Sequence, residues 1–191
     1  MRRIKPYLKF IFSRSTKITI DSIPDGSILD IGGGGEGIIA QIGNERVTAV
    51  DRLQTEIDEA KPNAPTANWK LADATDLPYP NDHFDNATSF FSCMYMSTDT
   101  FGEVCKEAYR VLKNKGEFWI WGAKISTDKD LFIIRLQITL PNGKKVTTGY
   151  GTRVKDRSMK KIKQTLIENN FHIENEEDQG KWYFIKVIKR Q

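Results

Sequence analysis

Two cysteines and two histidines are all that 191 residues offer toward a Cys- or His-rich metal centre. Cys93, Cys105, His83 and His172 are too few and too scattered for a zinc site, which needs about four such ligands in paired spacings. They also exclude a disulfide scaffold. Cys105 falls on the apolar stripe of a predicted helix, where a buried thiol is the plain expectation. Long apolar runs are missing too: Phe10-Ile11-Phe12 and Phe118-Trp119-Ile120-Trp121 fall far short of the roughly 20 residues a membrane-spanning helix needs. Arg2, Arg3 and Lys5 imitate the start of a signal peptide. Lys9 and Arg14 then interrupt any apolar region and no small-residue cleavage site follows, so the expected location is cytoplasmic. The 39% hydrophobic and 28% charged content is that of an ordinary globular chain, read as one domain over 1–191 without repeats or low-complexity segments.

The excess of one sign of charge is small overall, a net +4, but it is unevenly placed. Residues 1–20 hold Arg2, Arg3, Lys5, Lys9, Arg14 and Lys17 without an acid, leaving 23 bases against 25 acids in the remainder. Ile4, Tyr7, Leu8, Ile11 and Phe12 recur at helical spacing, so residues 1–20 are expected to form a basic amphipathic helix or arm. Its favoured use is a cap over a binding site; a membrane-surface or nucleic-acid contact is the alternative. The bases from Arg153 to Lys163 read as a solvated helix face.

The middle of the chain alternates strands and helices, the pattern of a parallel sheet with helices on both faces. Strands are expected at Ser27–Ile31, Arg46–Val50, Asn68–Ala72, Phe84–Phe91 and Glu117–Gly122. Helices are expected after Gly32, around Leu53–Ala60 and at Thr100–Leu112, the last with a Thr100–Glu103 capping box. The tail breaks this rhythm. Pro141-Asn142-Gly143 between two β-rich runs predicts a projecting hairpin over 131–150. A helix over Arg157–Glu168 and two antiparallel strands, Phe171–Asn175 and Trp182–Ile188, complete the chain.

Function hangs on Ile28-Leu29-Asp30-Ile31-Gly32-Gly33-Gly34-Gly35-Glu36-Gly37. A strand running into glycines and then a helix lets backbone approach a ligand closely. Asp51 closes the second strand about 20 residues on, where an acid can accept the hydroxyls of a ribose. A nucleoside cofactor follows from the pair.

Four segments in order, ILDIGGGGEG (28–37), VTAVD (47–51), ADATDLPYPNDHFD (72–85) and EAYRVLKNKGEFWIWG (107–122), make the chain resemble the class I S-adenosylmethionine-dependent methyltransferases. Within them it is similar to the small-molecule, type 11, ubiquinone/menaquinone methyltransferase-like group, over roughly residues 24–123. The resemblance implies a Rossmann-like, doubly wound α/β fold of seven mostly parallel strands with an antiparallel last strand, the hairpin being an insertion. It implies S-adenosylmethionine as cofactor, with Asp30 on the methionine side, Gly32, Gly33 and Gly34 as backbone cradle, and Asp51 with Arg52 at the ribose. Asp73 and Ala74 would take the adenine, and Phe90 and Phe91 would line the pocket. No metal is implied.

Two departures stand out. Glu36 intervenes where the family's last glycine is usual, which would widen the turn. Met94-Tyr95 replaces the His pair many relatives carry, which removes their general base and leaves Tyr95 as the nearest polar candidate to orient an acceptor. The expected acceptor is a small molecule. An RNA- or protein-directed methyltransferase, an NAD-dependent oxidoreductase and a non-catalytic cofactor-binding module are the rivals. Asp30 and Glu36 beside the turn suit a cationic sulfonium and amine better than a pyrophosphate, which prefers an uncompensated helix N-terminus.

Overall fold

The computed structural model describes residues 15–125, 131–153 and 158–190. In chain order its main elements are β1 (Thr16–Thr19), β2 (Ile28–Ile31), α1 (Ile38–Gly43), β3 (Val47–Asp51), α2 (Gln54–Ala60), β4 (Asn68–Leu71), β5 (Phe84–Phe90), α3 (Thr98–Val111), β6 (Leu112–Ala123), β7 (Phe132–Thr139), β8 (Lys145–Thr152), α4 (Met159–Glu168), β9 (Phe171–Asp178) and β10 (Trp182–Lys189). Seven of the strands form one sheet in the order β4-β3-β2-β5-β6-β10-β9. β2 to β6 pair in parallel, and β10 is antiparallel to both neighbours. The strand order reverses between β2 and β5, which opens a crevice at the carboxyl ends of these strands.

Alternate strand residues face opposite sides of the sheet. Ile28 joins Ile39, Ile134, Leu136 and Ile138 on one face. Leu29 and Ile31 join Phe101, Val104, Ile162 and Leu166 beneath α3 and α4 on the other. Both layers are apolar and closed, as a doubly wound sheet requires.

Three sequence expectations are corrected. The hairpin does not project: β7 and β8 pair with each other and with β1 in a separate three-stranded sheet, and Ile134, Leu136 and Ile138 bury one face of it in the core. The end of the predicted helical arm is strand, because Thr16–Thr19 runs parallel to β7 with Ile18 1% exposed. Its stripe from Ile4 to Phe12 lies outside the described residues. The capping box does not form either; Ser97 caps α3, its Oγ accepting from the Thr100 N–H at 3.0 Å. A tight turn at Ser92–Tyr95 leaves Ser97 extended just ahead of Thr98, so the helix starts earlier than its apolar stripe announced.

Candidate active site

All four residues of β2 are buried, and the strand runs directly into the glycines. The Gly32 and Gly33 N–H groups donate to the Val50 carbonyl at 2.9 and 3.1 Å, and that of Gly35 to the Glu56 carbonyl at 2.9 Å. The Gly34 N–H donates to Asp51 Oδ2 at 3.3 Å. A Cβ on Gly34 would stand 2.6 Å from Glu56 Cβ and 2.8 Å from Asp51 Oδ2, so only glycine lets the turn lie this close to the end of β3. Gly35 and Gly37, both left-handed, absorb the extra length that Glu36 introduces before α1 begins.

A cavity of about 980 Å³ opens over this turn. Of the residues expected at the site, Gly32, Gly34, Asp51, Arg52, Asp73, Ala74, Phe90, Phe91 and Tyr95 line it. Asp30 and Gly33 are not among the lining residues. Asp30 is 1% exposed beneath the turn, where Oδ1 accepts from Thr88 Oγ1 at 2.8 Å. Its Oδ2 crowds Gly33, where a Cβ would be 2.5 Å away. Burial raises the Asp30 pKa to about 7 against the opposing Thr88 hydrogen bond, with the nearby charge of Asp51 adding to the rise. Its observed place is therefore under the turn, supporting it.

The two other acids are oriented by backbone. Asp51 Oδ1 accepts from the Leu53 N–H at 3.0 Å and Oδ2 from Gly34, leaving lone pairs over on both oxygens. Asp73 Oδ1 accepts from the N–H and Oγ1 of Thr75 at 2.9 and 2.8 Å. Those bonds hold its pKa below the usual carboxylate value, and Arg52 adds to the effect. The Leu77-Pro78 segment behind it is fastened to α3: Glu107 Oε2 accepts from the Leu77 N–H at 2.7 Å, and Arg110 donates to the carbonyls of Leu77 and Tyr79. Two of the family-like segments are thus one physical unit.

Sequence reasoning missed the far wall. β8 lines the cavity from Thr147 to Gly151, with Ile133 and Arg135 of β7. Glu36 joins this wall to the glycine turn, accepting from Thr148 Oγ1 at 2.6 Å and from the Tyr150 hydroxyl at 3.2 Å. Lys144 adds a bond to Gln41 Oε1 at 2.6 Å. The Tyr150 ring stacks on Phe91 at 5.5 Å. Burial, with Glu36 and Tyr95 close by, pushes the Tyr150 hydroxyl well above its ordinary pKa, so it stays a neutral donor. The alternation of Thr148 and Tyr150 with Gly149 and Gly151 was visible, but Glu36 stands 112 residues from Thr148 and no local pattern links them.

Five acids, Glu36, Asp51, Glu56, Glu59 and Asp73, line the cavity against two bases, Arg52 and Arg135. An excess of acid suits a ligand with a sulfonium and an ammonium and disfavours a pyrophosphate. Among the described residues no group of three His, Cys, Asp or Glu is placed to hold a metal ion, and no helix is long and apolar enough to cross a membrane.

Residues 29–120 match the family model described as a methyltransferase domain. Over that stretch, just under half of the chain, it is similar to methyltransferase domains. The residues of the cradle, Asp51 and Asp73 with its loop all lie inside the matched stretch. The chain is similar to 2-methyl-6-phytyl-1,4-hydroquinone methyltransferase 1, chloroplastic, of Oryza sativa subsp. japonica, at 36% identity over 95 residues, which are 47% of this chain and 28% of the relative. It therefore spans under a third of the length of the curated relatives it matches. In fold it is similar to an S-adenosylmethionine-dependent methyltransferase from Methanosarcina mazei, with a TM-score of 0.64, 18% identity and coverage of 89% of this chain and 95% of that one. The SpnF structure, titled a cyclase, shares the fold at a TM-score of 0.61 and 18% identity, covering 89% of this chain and 78% of its own. One fold thus carries names of different chemistry, and function must be argued from the site.

Proposed function

We propose that this chain transfers the methyl group of S-adenosylmethionine to a small-molecule acceptor. The observation that carries this reading is the convergence of the glycine turn, Asp51 and Asp73 on one predominantly acidic cavity. When bound, the cofactor supplies a methyl group made electrophilic by its sulfonium. Gly32 and Gly34 offer close backbone approach at the methionine end, with Asp30 bracing the turn from below. Asp51 accepts from the ribose hydroxyls, with Arg52 beside it, and Asp73 with Ala74 takes the adenine edge. Phe90 and Phe91 wall the pocket, and Tyr95 orients the acceptor by a hydrogen bond. Excluding water and aligning a nucleophile with the methyl supplies much of the acceleration without a strong base.

A cavity of about 980 Å³ sits at the upper end of small-molecule sites, which run roughly 300–1,000 Å³, and so has room for cofactor and acceptor together. The rice relatives are named for a hydroquinone, which supports a planar acceptor packed against Tyr95 and Tyr150. Lys160 and Lys161 are exposed on α4 and do not line the cavity, which weighs against RNA. Buried thiols at Cys93 and Cys105 fit a reducing, cytoplasm-like compartment. Calorimetry with S-adenosylhomocysteine, S-adenosylmethionine and NAD tests the cofactor, followed by detection of S-adenosylhomocysteine formed with a panel of aromatic metabolites. Binding of NAD alone would sink the reading.

A further inference from the structure

We propose that the acceptor carries a carboxylate and that Arg135 binds it; the proposal rests on the methyltransferase reading and names the substrate class of the same site. Two cations line the cavity. Arg52 follows Asp51 and also acts on Asp73, lowering its pKa, and so belongs to the nucleoside side. The exposed Arg135 side chain lines the β7–β8 wall and makes no hydrogen bond or ion pair with a described residue, although five acids share the cavity.

The strand across from it explains how that guanidinium is presented. Arg135 stands opposite Gly149 in the β7–β8 register, and directly opposed residues share a face of the hairpin. Gly149 lacks the usual reasons for a strand glycine. Its φ is not left-handed, and a Cβ there would meet nothing nearer than the Ile134 carbonyl at 3.8 Å. Glycine inside a strand costs stability and otherwise marks a place where something approaches the backbone closely. β8 is the edge strand of its sheet and lines the cavity, so a bare Gly149 leaves the path from Arg135 across β8 open. Thr148 and Tyr150 alternate onto the other face and hold Glu36 at the glycine turn. The hairpin therefore separates an acidic contact to the cofactor cradle from a basic one on its opposite face. A planar carboxylate matches the guanidinium fork with a single negative charge, whereas a doubly charged phosphate would suffer more from the five acids. Ile133, two residues along β7 on the same face, offers apolar surface for the body of the molecule.

The test titrates protein saturated with S-adenosylhomocysteine with 4-hydroxybenzoate and with its neutral analogue 4-hydroxybenzamide, by ligand-observed NMR. Wild type, Arg135→Ala, Arg135→Lys and Gly149→Val are compared, with circular dichroism and melting as fold controls. Wild type is expected to prefer the carboxylate by about ten- to a hundredfold, the scale of a charge-assisted pair. Arg135→Ala and Gly149→Val lose that preference, Arg135→Lys keeps part of it, and cofactor-product affinity stays within about twofold in all four. Equal affinity for the two probes, binding of neither, or a preference that survives in Arg135→Ala overturns the proposal. A tenfold loss of S-adenosylhomocysteine affinity in Arg135→Ala also overturns it, because the guanidinium would then hold the cofactor's own carboxylate. Wild type that binds no S-adenosylhomocysteine is a separate result, which removes the cofactor reading beneath the proposal.

Discussion

Asp30 and Asp51 lie on adjoining strands, one buried beneath the glycine turn and the other at the cavity wall. Asp51 shares its oxygens with two backbone N–H groups at the cavity wall, so Asp51→Ala is expected to weaken S-adenosylhomocysteine binding by about 1.5–3 kcal/mol in calorimetry. Tyr95→Phe should leave that affinity alone. Asp30 is buried with a pKa of about 7 against an ordinary 3.8. Its folded form thus holds a proton that the unfolded chain has lost, and folding stability falls as pH rises from about 4 to about 7, by at most roughly 4 kcal/mol. Asp30→Asn keeps an oxygen for Thr88 and cannot ionise. The expectation is a melting temperature above wild type at pH 8 and close to it at pH 4, measured by calorimetric scans; a constant difference across that range would reject the titration.

Among the elements, the hairpin is the one whose attachment matters most. Its apolar face secures it to the core, while Glu36 fastens its edge to the glycine turn through Thr148 and Tyr150. Glu36→Ala leaves two hydroxyls without that partner and is expected to cost about 1–3 kcal/mol. Its distinguishing mark is local: amide exchange should quicken along β8 and not along β2 or β5. Glu36→Gln, which can still accept from one hydroxyl, should fall between. Uniform acceleration over all strands would show that the clasp has no local role. α3 makes a similar fastening behind Asp73, where Glu107 and Arg110 hold the segment from Leu77 to Tyr79.

Across the whole molecule, one edge of the large sheet is strongly acidic. β9, at one edge of the large sheet, carries Glu174, Glu176, Glu177 and Asp178, and such an acidic strand resists pairing with another chain. The N-terminal residues divide into two parts with different expected effects. Removing residues 1–14 leaves β1 in place, so melting should change little, while affinity for S-adenosylhomocysteine should drop if those residues cap the cavity. Removing residues 1–20 also strips Ile18 and Ile20, which are 1% and 2% exposed. Losing two buried isoleucines is expected to destabilise by several kcal/mol, about 2–5 for each when truncated to alanine. Denaturant titration of both truncations checks this, and equal stability would place β1 outside the cooperative fold.

The sequence by itself determined what is local or carried by a dense motif. The βαβ rhythm, the glycine turn after β2, Asp51 at the end of β3 and the Leu77-Pro78 segment ahead of β5 were all legible, because each depends on neighbours within a few residues. Hairpin strands were legible for the same reason, since Asn142-Gly143 sets their turn. Where the hairpin went was not. Burial of Ile134, Leu136 and Ile138 in the same core as Ile38 and Ile39 of α1 and the recruitment of Thr16–Thr19 as a third strand join segments more than 90 residues apart. Only the tertiary structure decided that Glu36, an interruption in a glycine motif, would clasp Thr148 and Tyr150, and that Asp30 would sit beneath the turn instead of in the cavity wall. Periodicity tells which face of a strand is apolar; which partner covers that face depends on distant chain, and the β7–β8 wall of this cavity was built from such distant pairings.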